Sequence, residues 1–215
     1  LLHQADYIAA KLTGTGGQSD VMNALKTGVD PETGAWPAWI EALLPGGLLP
    51  IAHPLGAAFG TLRPALAREL GLGDDVTVHA GTTDSIAAFL AAAPLEPGVA
   101  VTSLGSTLAI KTLSPVRIED PALGLYSHRV GDAWLVGGAS NTGGRVLRTF
   151  FTDAELARLS ARIDPETQSG LDYYPLVEPG ERFPVNDPAL APRLTPRPKD
   201  DAAFLHGLFE GIARI

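Results

Sequence analysis

The stretch His79-Ala80-Gly81-Thr82-Thr83-Asp84 decides the fold prediction for this chain. It follows the β-branched run Val76-Thr77-Val78 and leads into the helix-forming run Ile86–Ala93. This pattern predicts a strand, a turn over 81–85 and a helix over 84–93. Ligands of α/β folds gather at strand-to-helix turns of this kind. The stretch therefore predicts an α/β fold with a candidate site at this turn.

Asp84 is the candidate chemical group of that turn. Near a helix N-terminus, the partial positive charge of the unsatisfied N–H groups favours an ionised carboxylate. An ionised Asp in a cleft can accept a proton from a substrate hydroxyl. On spacing alone, the commoner role of an Asp at a helix start is that of an N-cap.

A second candidate segment lies about twenty residues further on. Two β-rich runs, 99–104 and 107–113, are separated by Gly105-Ser106, which predicts a hairpin with a two-residue turn. Glycine lets backbone N–H groups converge, and Ser106 and Thr107 add hydroxyl donors, so this turn could hold phosphate oxygens. Most turns with this composition bind no ligand.

A third segment has the same strand-to-helix character. The strand Ala133-Trp134-Leu135-Val136 is followed by Gly137-Gly138-Ala139-Ser140-Asn141-Thr142-Gly143-Gly144 and then by a helix over 144–151. Four glycines at such a junction predict the close approach of a ligand or of another backbone. An ordinary loop-to-helix cap is the alternative for Asn141 and Thr142.

These three segments, in this order, resemble the FGGY family of carbohydrate kinases. Gly81-Thr82-Thr83-Asp84 is similar to the segment that carries the catalytic base of that family, and 103–107 is similar to its second phosphate motif. The stretch Gly138–Gly144 resembles its nucleotide-side glycine-rich turn. The resemblance implies that Asp84 is the catalytic base. It also implies nucleotide contacts from Gly81, Thr82, Gly105, Ser106, Thr107, Gly138 and Asn141.

The beginning of the chain extends the resemblance. Residues 1–14 and Ser19-Asp20-Val21-Met22-Asn23-Ala24-Leu25 look like segments found in the middle of these kinases. Among family members, the kinases of pentuloses such as D-ribulose or D-xylulose are the most similar. The resemblance implies sugar contacts from Asp84, Asp20 and Asn23. The alternative is that Ser19 caps a helix with Asp20 in its first turn.

The fold implied by the resemblance is a partial, actin-like (ribonuclease H-like) α/β sugar kinase with two domains around a cleft. We expect 1–94 to be part of the sugar-binding domain and 95–215 part of the nucleotide-binding domain, with the boundary at Pro94–Gly98. The implied activity is ATP-dependent phosphorylation of a sugar hydroxyl, with Mg²⁺ on the phosphates. No protein ligands for a metal are predicted.

The chain departs from the family in two places. Members are roughly twice as long, begin with an Asp-x-Gly-Thr phosphate hairpin, and carry a glycine-rich adenosine-binding segment near their C-terminus; neither segment occurs here. We expect an internal piece of a kinase, because apolar helical faces reach both ends of the sequence. The alternative function is a kinase-like chain that binds a sugar or a partner without phosphoryl transfer.

Composition restricts the other function classes. The chain has 215 residues, 45% apolar and 19% charged, with a net charge of −8 and scattered Lys and Arg, which argues against nucleic-acid or anionic-membrane partners. It has no cysteine, no zinc-type histidine spacing and no run of about 18 apolar residues. We expect a cytosolic protein whose partners are a sugar and ATP, and the resemblance also allows a homodimer.

The remaining patterns predict the elements around these segments. Helices are expected at 1–12, 20–26, 37–44, 63–70, 144–151 and 153–163, with Pro45-Gly46-Gly47 in a loop, hairpins at 99–113 and 125–137, and an apolar helical stripe over 202–215. The proline-rich stretch 164–200 is expected to be an irregular surface excursion.

Two other enzyme classes are disfavoured by their motifs. An acyl hydrolase would need Gly-x-Ser-x-Gly, and Gly138-Ala139-Ser140-Asn141-Thr142 lacks the final glycine. A P-loop kinase would need Gly-x-x-x-x-Gly-Lys-Ser/Thr, which does not occur.

Overall fold

The computed structural model describes residues 2–44 and 47–215. The chain forms two units: Leu1–Pro94 with His128–Trp134 make unit 1, and Leu95–Ser127 with Leu135–Ile215 make unit 2. Leu1, Pro45 and Gly46 lie outside the described residues, as do the predictions of a helix start at residue 1 and a loop at Pro45-Gly46.

Unit 1 is built from short helices and two small pairs of strands. Strands β1 and β2 pair in parallel, with Asp20 opposite His53, and β3 and β4 pair antiparallel, with Ala58 opposite His79. Its elements are α1 (Gln4–Thr13), β1 (Gln18–Asp20), α2 (Val21–Ala24) with a 3₁₀ turn (Leu25–Thr27), α3 (Ala38–Leu43), β2 (Ile51–His53), β3 (Ala58–Thr61), α4 (Pro64–Leu70), β4 (Thr77–His79) and α5 (Asp84–Ala92).

The helices of unit 1 lie where the sequence pattern predicts them, within a few residues. Strands β1, β2 and β3 were not predicted, because runs of three or four residues are too short to show an alternation of apolar and polar side chains. The turn between β4 and α5 is present as predicted, so Asp84 is the first residue of α5. The side chains of Ile86 and Phe89 are buried and form the inner face of that helix.

A four-stranded sheet has the order β5-β6-β8-β7. Its strands belong to unit 2 except for the end of β7 and the first two residues of β8, which lie in the segment His128–Trp134 grouped with unit 1. Strands β5 and β6 pair antiparallel, with Leu104 opposite Leu108. The elements are β5 (Ala100–Leu104), β6 (Leu108–Ser114), β7 (Tyr126–Val130), β8 (Ala133–Ser140), α6 (Gly144–Phe150), α7 (Asp153–Ser160) and α8 (Asp201–Ala213).

Two details of the predicted hairpins are wrong. The β5–β6 connection has three residues, Gly105, Ser106 and Thr107, because Leu104 and Leu108 are the last paired residues. Strand β8 continues to Ser140, so Gly137 and Gly138 lie within the strand and only Gly143 and Gly144 lie at the junction with α6. The pattern misplaced the end of β8 because glycine is depleted in strands and is normally a turn signal.

The core of unit 2 forms around α8. The predicted apolar stripe is confirmed at Phe204, Leu208 and Ile212. Their side chains are buried against α6, α7 and the proline-rich stretch 164–200, called the excursion below. Between α7 and α8, residues 161–200 contain no helix or strand, as the proline content predicts. The excursion packs closely against α8 at two glycines. A Cβ added to Gly207 would lie 2.8 Å from the Tyr173 ring, and one added to Gly211 would lie 2.8 Å from Pro175 Cδ.

Candidate active site

Asp84 begins α5 but is not its N-cap. Thr83 holds the N-cap position in an extended conformation, with no side-chain bond to the helix. The Asp84 carboxylate is exposed, and its Oδ1 accepts a hydrogen bond from the N–H of Ser85 at 2.7 Å. The alternative role that spacing favoured, an N-cap, is therefore not the role of this side chain. An exposed carboxylate at the positive end of a helix is free to meet a substrate.

Gly81 and Thr82 precede Asp84 in the same turn. A Cβ added to Gly81 would meet no atom within 4 Å, and its φ does not lie in the left-handed region, so neither space nor backbone strain requires glycine here. The hydroxyl of Thr82 is buried and has no hydrogen-bond partner in the described part of the chain. A buried hydroxyl without a partner is uncommon and needs a reason.

Asp20 caps α2, and Asn23 occupies both of its carboxylate oxygens. The Asn23 N–H donates to Asp20 Oδ1 and the Asn23 amide donates to Asp20 Oδ2, each at 2.8 Å. Asp20 is 1% exposed, and it contributes to the lining of a pocket of about 330 Å³ in unit 1, together with Gly81. The alternative in which Ser19 caps the helix with Asp20 in its first turn is therefore wrong: the cap is Asp20, the last residue of β1, and α2 begins at Val21.

The β5–β6 turn directs its carbonyl groups toward α6. The carbonyls of Gly105 and Ser106 accept from the N–H groups of Gly144 at 2.8 Å and Arg145 at 3.2 Å. The turn thereby caps the start of α6, because the first N–H groups of a helix have no partner within the helix. Within residues 2–44 and 47–215, the hydroxyls and N–H groups of Ser106 and Thr107 make no hydrogen bond, and both residues are exposed.

The glycines before α6 are each approached closely by the protein itself. A Cβ on Gly143, whose φ is 140°, would lie 2.7 Å from the carbonyl carbon of Thr107, and one on Gly144 would lie 2.8 Å from the carbonyl oxygen of Gly105. A Cβ on Gly137 would lie 2.4 Å from the carbonyl oxygen of Ile110 on β6, and one on Gly138 would lie 2.2 Å from the ring of Phe183. The glycines at this junction predicted the close approach of either a ligand or another backbone. At Gly143 and Gly144 it is a neighbouring backbone that comes close.

The polar residues at the end of β8 are held by the excursion. Ser140 Oγ donates to Glu181 Oε2 at 2.6 Å, and the Asn141 N–H donates to Glu181 Oε1 at 2.7 Å. The Asn141 amide also donates to the Gly180 carbonyl at 2.9 Å. Ser140 is 0% exposed and its hydroxyl donates to a carboxylate, which argues against its being the nucleophile of an acyl hydrolase.

Thr107 and Asn141 lie together at a pocket of about 160 Å³ in unit 2. The structure therefore brings together two of the residues predicted for nucleotide contact. Gly138 does not line this pocket and instead packs under Phe183. The full lining is Thr107, Asn141, Arg145, Val177, Glu178, Pro179 and Gly180.

Sequence reasoning missed Glu181 and Tyr174. The Tyr174 hydroxyl donates to Glu181 Oε2 at 3.0 Å, and burial, together with this hydrogen bond and the Glu181 charge, raises the pKa of Tyr174. The phenol therefore stays a donor over the neutral range. No local signal in the sequence distinguishes Glu181, because the stretch 164–200 carries several other acidic residues, and Glu is mostly exposed in folded proteins.

Two properties of the described residues bear on the site. Among the described residues, no cluster of three or more His, Cys, Asp or Glu side chains could hold a metal ion. In the same residues, none of the helices combines the length and the apolar character needed to cross a bilayer.

Known proteins were compared with this chain in sequence. No protein-family model matches it. A xylulose kinase from Staphylococcus epidermidis is 30% identical over 137 residues, which are 60% of this chain and 27% of that kinase. The chain therefore spans well under half the length of this curated relative.

Solved structures match almost the whole chain. A xylulose kinase from Brucella ovis superposes with a TM-score of 0.80 at 24% identity, over 99% of this chain and 46% of that protein. The xylulose kinase from Rhodospirillum rubrum gives 0.79 at 27% identity, over 97% of this chain and 44% of that protein. A Plasmodium falciparum glycerol kinase with ADP gives a TM-score of 0.78 at 16% identity, over 99% of this chain and 44% of that protein.

These comparisons confirm the resemblance and the fold class predicted from the sequence. The relatives of this chain are FGGY-type carbohydrate kinases of the xylulose kinase kind, and the chain covers about half of them. Its mixed α/β fold matches one half of the actin-like ATPase fold of these kinases.

Proposed function

We propose that this chain, whose relatives are carbohydrate kinases, serves ATP-dependent phosphorylation of a sugar hydroxyl, with a ketopentose such as D-ribulose or D-xylulose as acceptor. The observation that carries the proposal is the exposed carboxylate of Asp84 at the start of α5, which is not used as a helix cap. The sugar kinases among the relatives support the reaction class.

In this proposal Asp84 is the general base. A sugar hydroxyl has a pKa far above neutrality, so its oxygen attacks the γ-phosphate effectively only if a proton acceptor lies within hydrogen-bond reach. Asp84 would orient the hydroxyl and take its proton as the O–P bond forms, while the bond to ADP breaks in line. The hydrogen bond from Ser85 leaves acceptor sites on the carboxylate for this proton.

The β5–β6 turn is proposed to hold phosphate oxygens of ATP. Its carbonyls are directed to α6, and the free N–H and hydroxyl groups of Ser106 and Thr107 are donors of the kind that phosphate requires. Gly105 completes the turn by donating its N–H to the Thr107 carbonyl at 3.0 Å. These donors fit a phosphate group, and the adjacent pocket with Asn141 would take a further part of the nucleotide.

Smaller roles are proposed for residues of unit 1. The unpartnered hydroxyl of Thr82 would donate to a phosphate or sugar oxygen, and an added Cβ at Gly81 would meet no atom within 4 Å. Asp20 and Asn23 are committed to each other, so we propose that they support the sugar side by fixing the start of α2. Gly138 would support the nucleotide side through its packing under Phe183.

Mg²⁺ is proposed as the ion that neutralises charge on the phosphates. In the described residues no acidic cluster fits a bound metal, so the ion would be held chiefly by phosphate oxygens and water. When bound, Mg²⁺ supplies electrostatic stabilisation of the transferring group.

A second candidate is a kinase-like chain that binds a sugar or a partner without phosphoryl transfer. The observation behind it is coverage: the chain corresponds to 44% to 46% of the solved kinases, so much of their machinery lies outside the matched region. This candidate predicts binding without turnover.

The deciding experiment measures ADP formation by this chain and by Asp84→Asn with Mg²⁺ and D-ribulose, D-xylulose, L-ribulose or glycerol in excess. Sugar-dependent turnover that is lost in Asp84→Asn would support the kinase proposal and identify the acceptor. If the folded chain shows sugar binding but no turnover, the assay is repeated on a chimera in which a xylulose kinase supplies the unmatched segments. An inactive chimera would overturn the kinase assignment.

A further inference from the structure

The carboxylate of Glu181 is the most heavily bonded buried group in this region of unit 2. It is 2% exposed and accepts hydrogen bonds from Ser140 Oγ at 2.6 Å, the Asn141 N–H at 2.7 Å, the Arg182 N–H at 2.8 Å and the Tyr174 hydroxyl at 3.0 Å. Two of these donors belong to the end of β8 and two to the excursion. Glu181 therefore joins segments about 40 residues apart in sequence.

Burying the Glu181 carboxylate has a free-energy cost. Removing a carboxylate from water without a cationic partner carries a large desolvation penalty, and only several good hydrogen bonds offset it. No ion pair of Glu181 is present among the described residues, so its partners are neutral donors. An apolar side chain could fill the same space more cheaply, but it could not hold both segments in a fixed register.

What the carboxylate fixes is the pocket next to it. The pocket of about 160 Å³ is lined by Thr107 of the β5–β6 turn, by Asn141 and Arg145, and by 177–180 of the excursion. Glu181 does not line the pocket. Its carboxylate accepts a hydrogen bond from the backbone N–H of Asn141, while the side-chain amide of Asn141 donates to the carbonyl of Gly180.

We infer that Glu181 is a positioning residue for the nucleotide pocket: its carboxylate sets the distance between Asn141 and the Gly180 wall, and thereby the affinity for the nucleotide. This inference rests on the proposed function, since it takes the pocket to be the nucleotide site. It goes further, because it assigns nucleotide affinity to a residue that touches no ligand. The general reason is that a binding constellation stays in place only when the residues behind it are themselves hydrogen-bonded.

Two substitutions separate positioning from mere filling of space. Glu181→Gln keeps an acceptor oxygen for the N–H groups of Asn141 and Arg182, and its amide can donate to the oxygens of Ser140 and Tyr174, which can also accept. Glu181→Leu keeps similar bulk and loses every hydrogen bond. Glu166→Leu is the matched control, since Glu166 is exposed on the same excursion and does not line the pocket.

The experiment measures two quantities on the same samples, well below the unfolding temperature. The first is hydrogen exchange of the backbone N–H of Asn141 by NMR, and the second is the affinity for Mg²⁺-ADP by calorimetry. For Glu181→Leu we expect amide exchange at least about tenfold faster and ADP affinity about tenfold weaker, the loss expected when about one hydrogen bond of positioning is removed. Glu181→Gln is expected within about threefold of the wild type, and Glu166→Leu unchanged.

The outcomes distinguish this inference from the proposed function. Faster exchange with unchanged ADP affinity in Glu181→Leu would overturn the inference, because the clamp would then be purely structural. A wild-type chain that binds no ADP would overturn the nucleotide assignment and this inference with it. If Glu181→Leu does not fold, the double variant Ser140→Ala with Tyr174→Phe replaces it. That variant removes both donors to Oε2, and unchanged ADP affinity in it would again overturn the inference.

Discussion

The strand-to-helix junctions before α5 and before α6 both contain glycine but are built differently. At the junction before α5, an added Cβ on Gly81 would meet open space, and Asp84 is exposed. At the junction before α6, Gly143 and Gly144 are packed against the β5–β6 turn, and Asn141 is bonded to Glu181. The first junction leaves its carboxylate accessible to a substrate. The second is filled by protein atoms, so its residues hold neighbouring segments in place.

The difference shows that glycine content does not by itself indicate a ligand. A glycine in a turn has at least three causes, namely a left-handed φ, a close neighbour or a ligand. Only the surrounding atoms distinguish them. The comparison therefore predicts that substitutions at the open junction change activity and that substitutions at the filled junction change stability.

The largest effect is expected for Asp84→Asn. Loss of a positioned proton acceptor should lower sugar-dependent ADP formation about 100- to 10,000-fold. The free energy of unfolding should change by less than about 0.5 kcal/mol, because the side chain is exposed and does not cap α5. The matched control is Asp153→Asn, which alters the exposed first residue of α7 and should leave turnover unchanged. Turnover above about a tenth of the wild type would contradict the role of Asp84.

The pair Gly143→Ala and Gly81→Ala tests the comparison directly. At Gly143, a φ of 140° and a Cβ only 2.7 Å from Thr107 should destabilise the chain by about 3 kcal/mol. At Gly81 the change should stay within about 0.5 kcal/mol. Urea unfolding measures both variants, and equal losses would break the distinction between a filled and an open junction.

Ser140→Ala is expected to cost about 2 kcal/mol, because it leaves a buried carboxylate oxygen of Glu181 with one donor fewer. The N–H of Thr142 also loses its acceptor, at 3.1 Å. Thermal or urea unfolding checks the loss, and Thr149→Ala, an exposed hydroxyl on α6, is the control. Ester hydrolysis that depends on Ser140 would contradict its assignment as a structural residue.

The smallest effect is expected for Ser106→Ala. The exposed hydroxyl has no partner in the described parts of the chain, so stability should change by less than about 0.5 kcal/mol. If the hydroxyl donates to a phosphate oxygen, the KM for ATP should rise up to about tenfold with little change in sugar KM. An unchanged KM for ATP would remove Ser106 from the phosphate site and leave the backbone N–H groups as its donors.

The predictable part of the fold consisted of elements with a strong local signal. Helix α5 was predictable from its alanine-rich run, and the apolar stripe of α8 from its spacing, because both patterns repeat over several turns. The three-residue strands β1 and β2 were not, since their pairing depends on partners about thirty residues apart. The length of the β5–β6 turn was mispredicted because strand register, rather than glycine, sets where pairing ends.

For the candidate site, motifs in the sequence predicted roles for Asp84, Thr107 and Asn141, and those roles stay predictions. The structure shows that Thr107 and Asn141 lie at one pocket. Glu181 and Tyr174 were missed, because their partners at the end of β8 are about forty residues distant and no local pattern marks them. Hydrogen-bond partners of that kind appear only once the excursion has folded back on β8.

The sequence alone determined the positions of the helices, the placement of Asp84 at a helix start and the kinship with sugar kinases. Those properties depend on neighbouring residues and on motif spacing. The tertiary structure alone decided that Asp84 is not a cap, that the glycines before α6 accommodate the β5–β6 turn, and that Ser140 serves Glu181. The physical reason is that close packing and burial are relations between segments distant in sequence, which local patterns do not specify. The residue at which a helix begins is set by its backbone hydrogen bonds, which a sequence pattern locates only to within one or two residues.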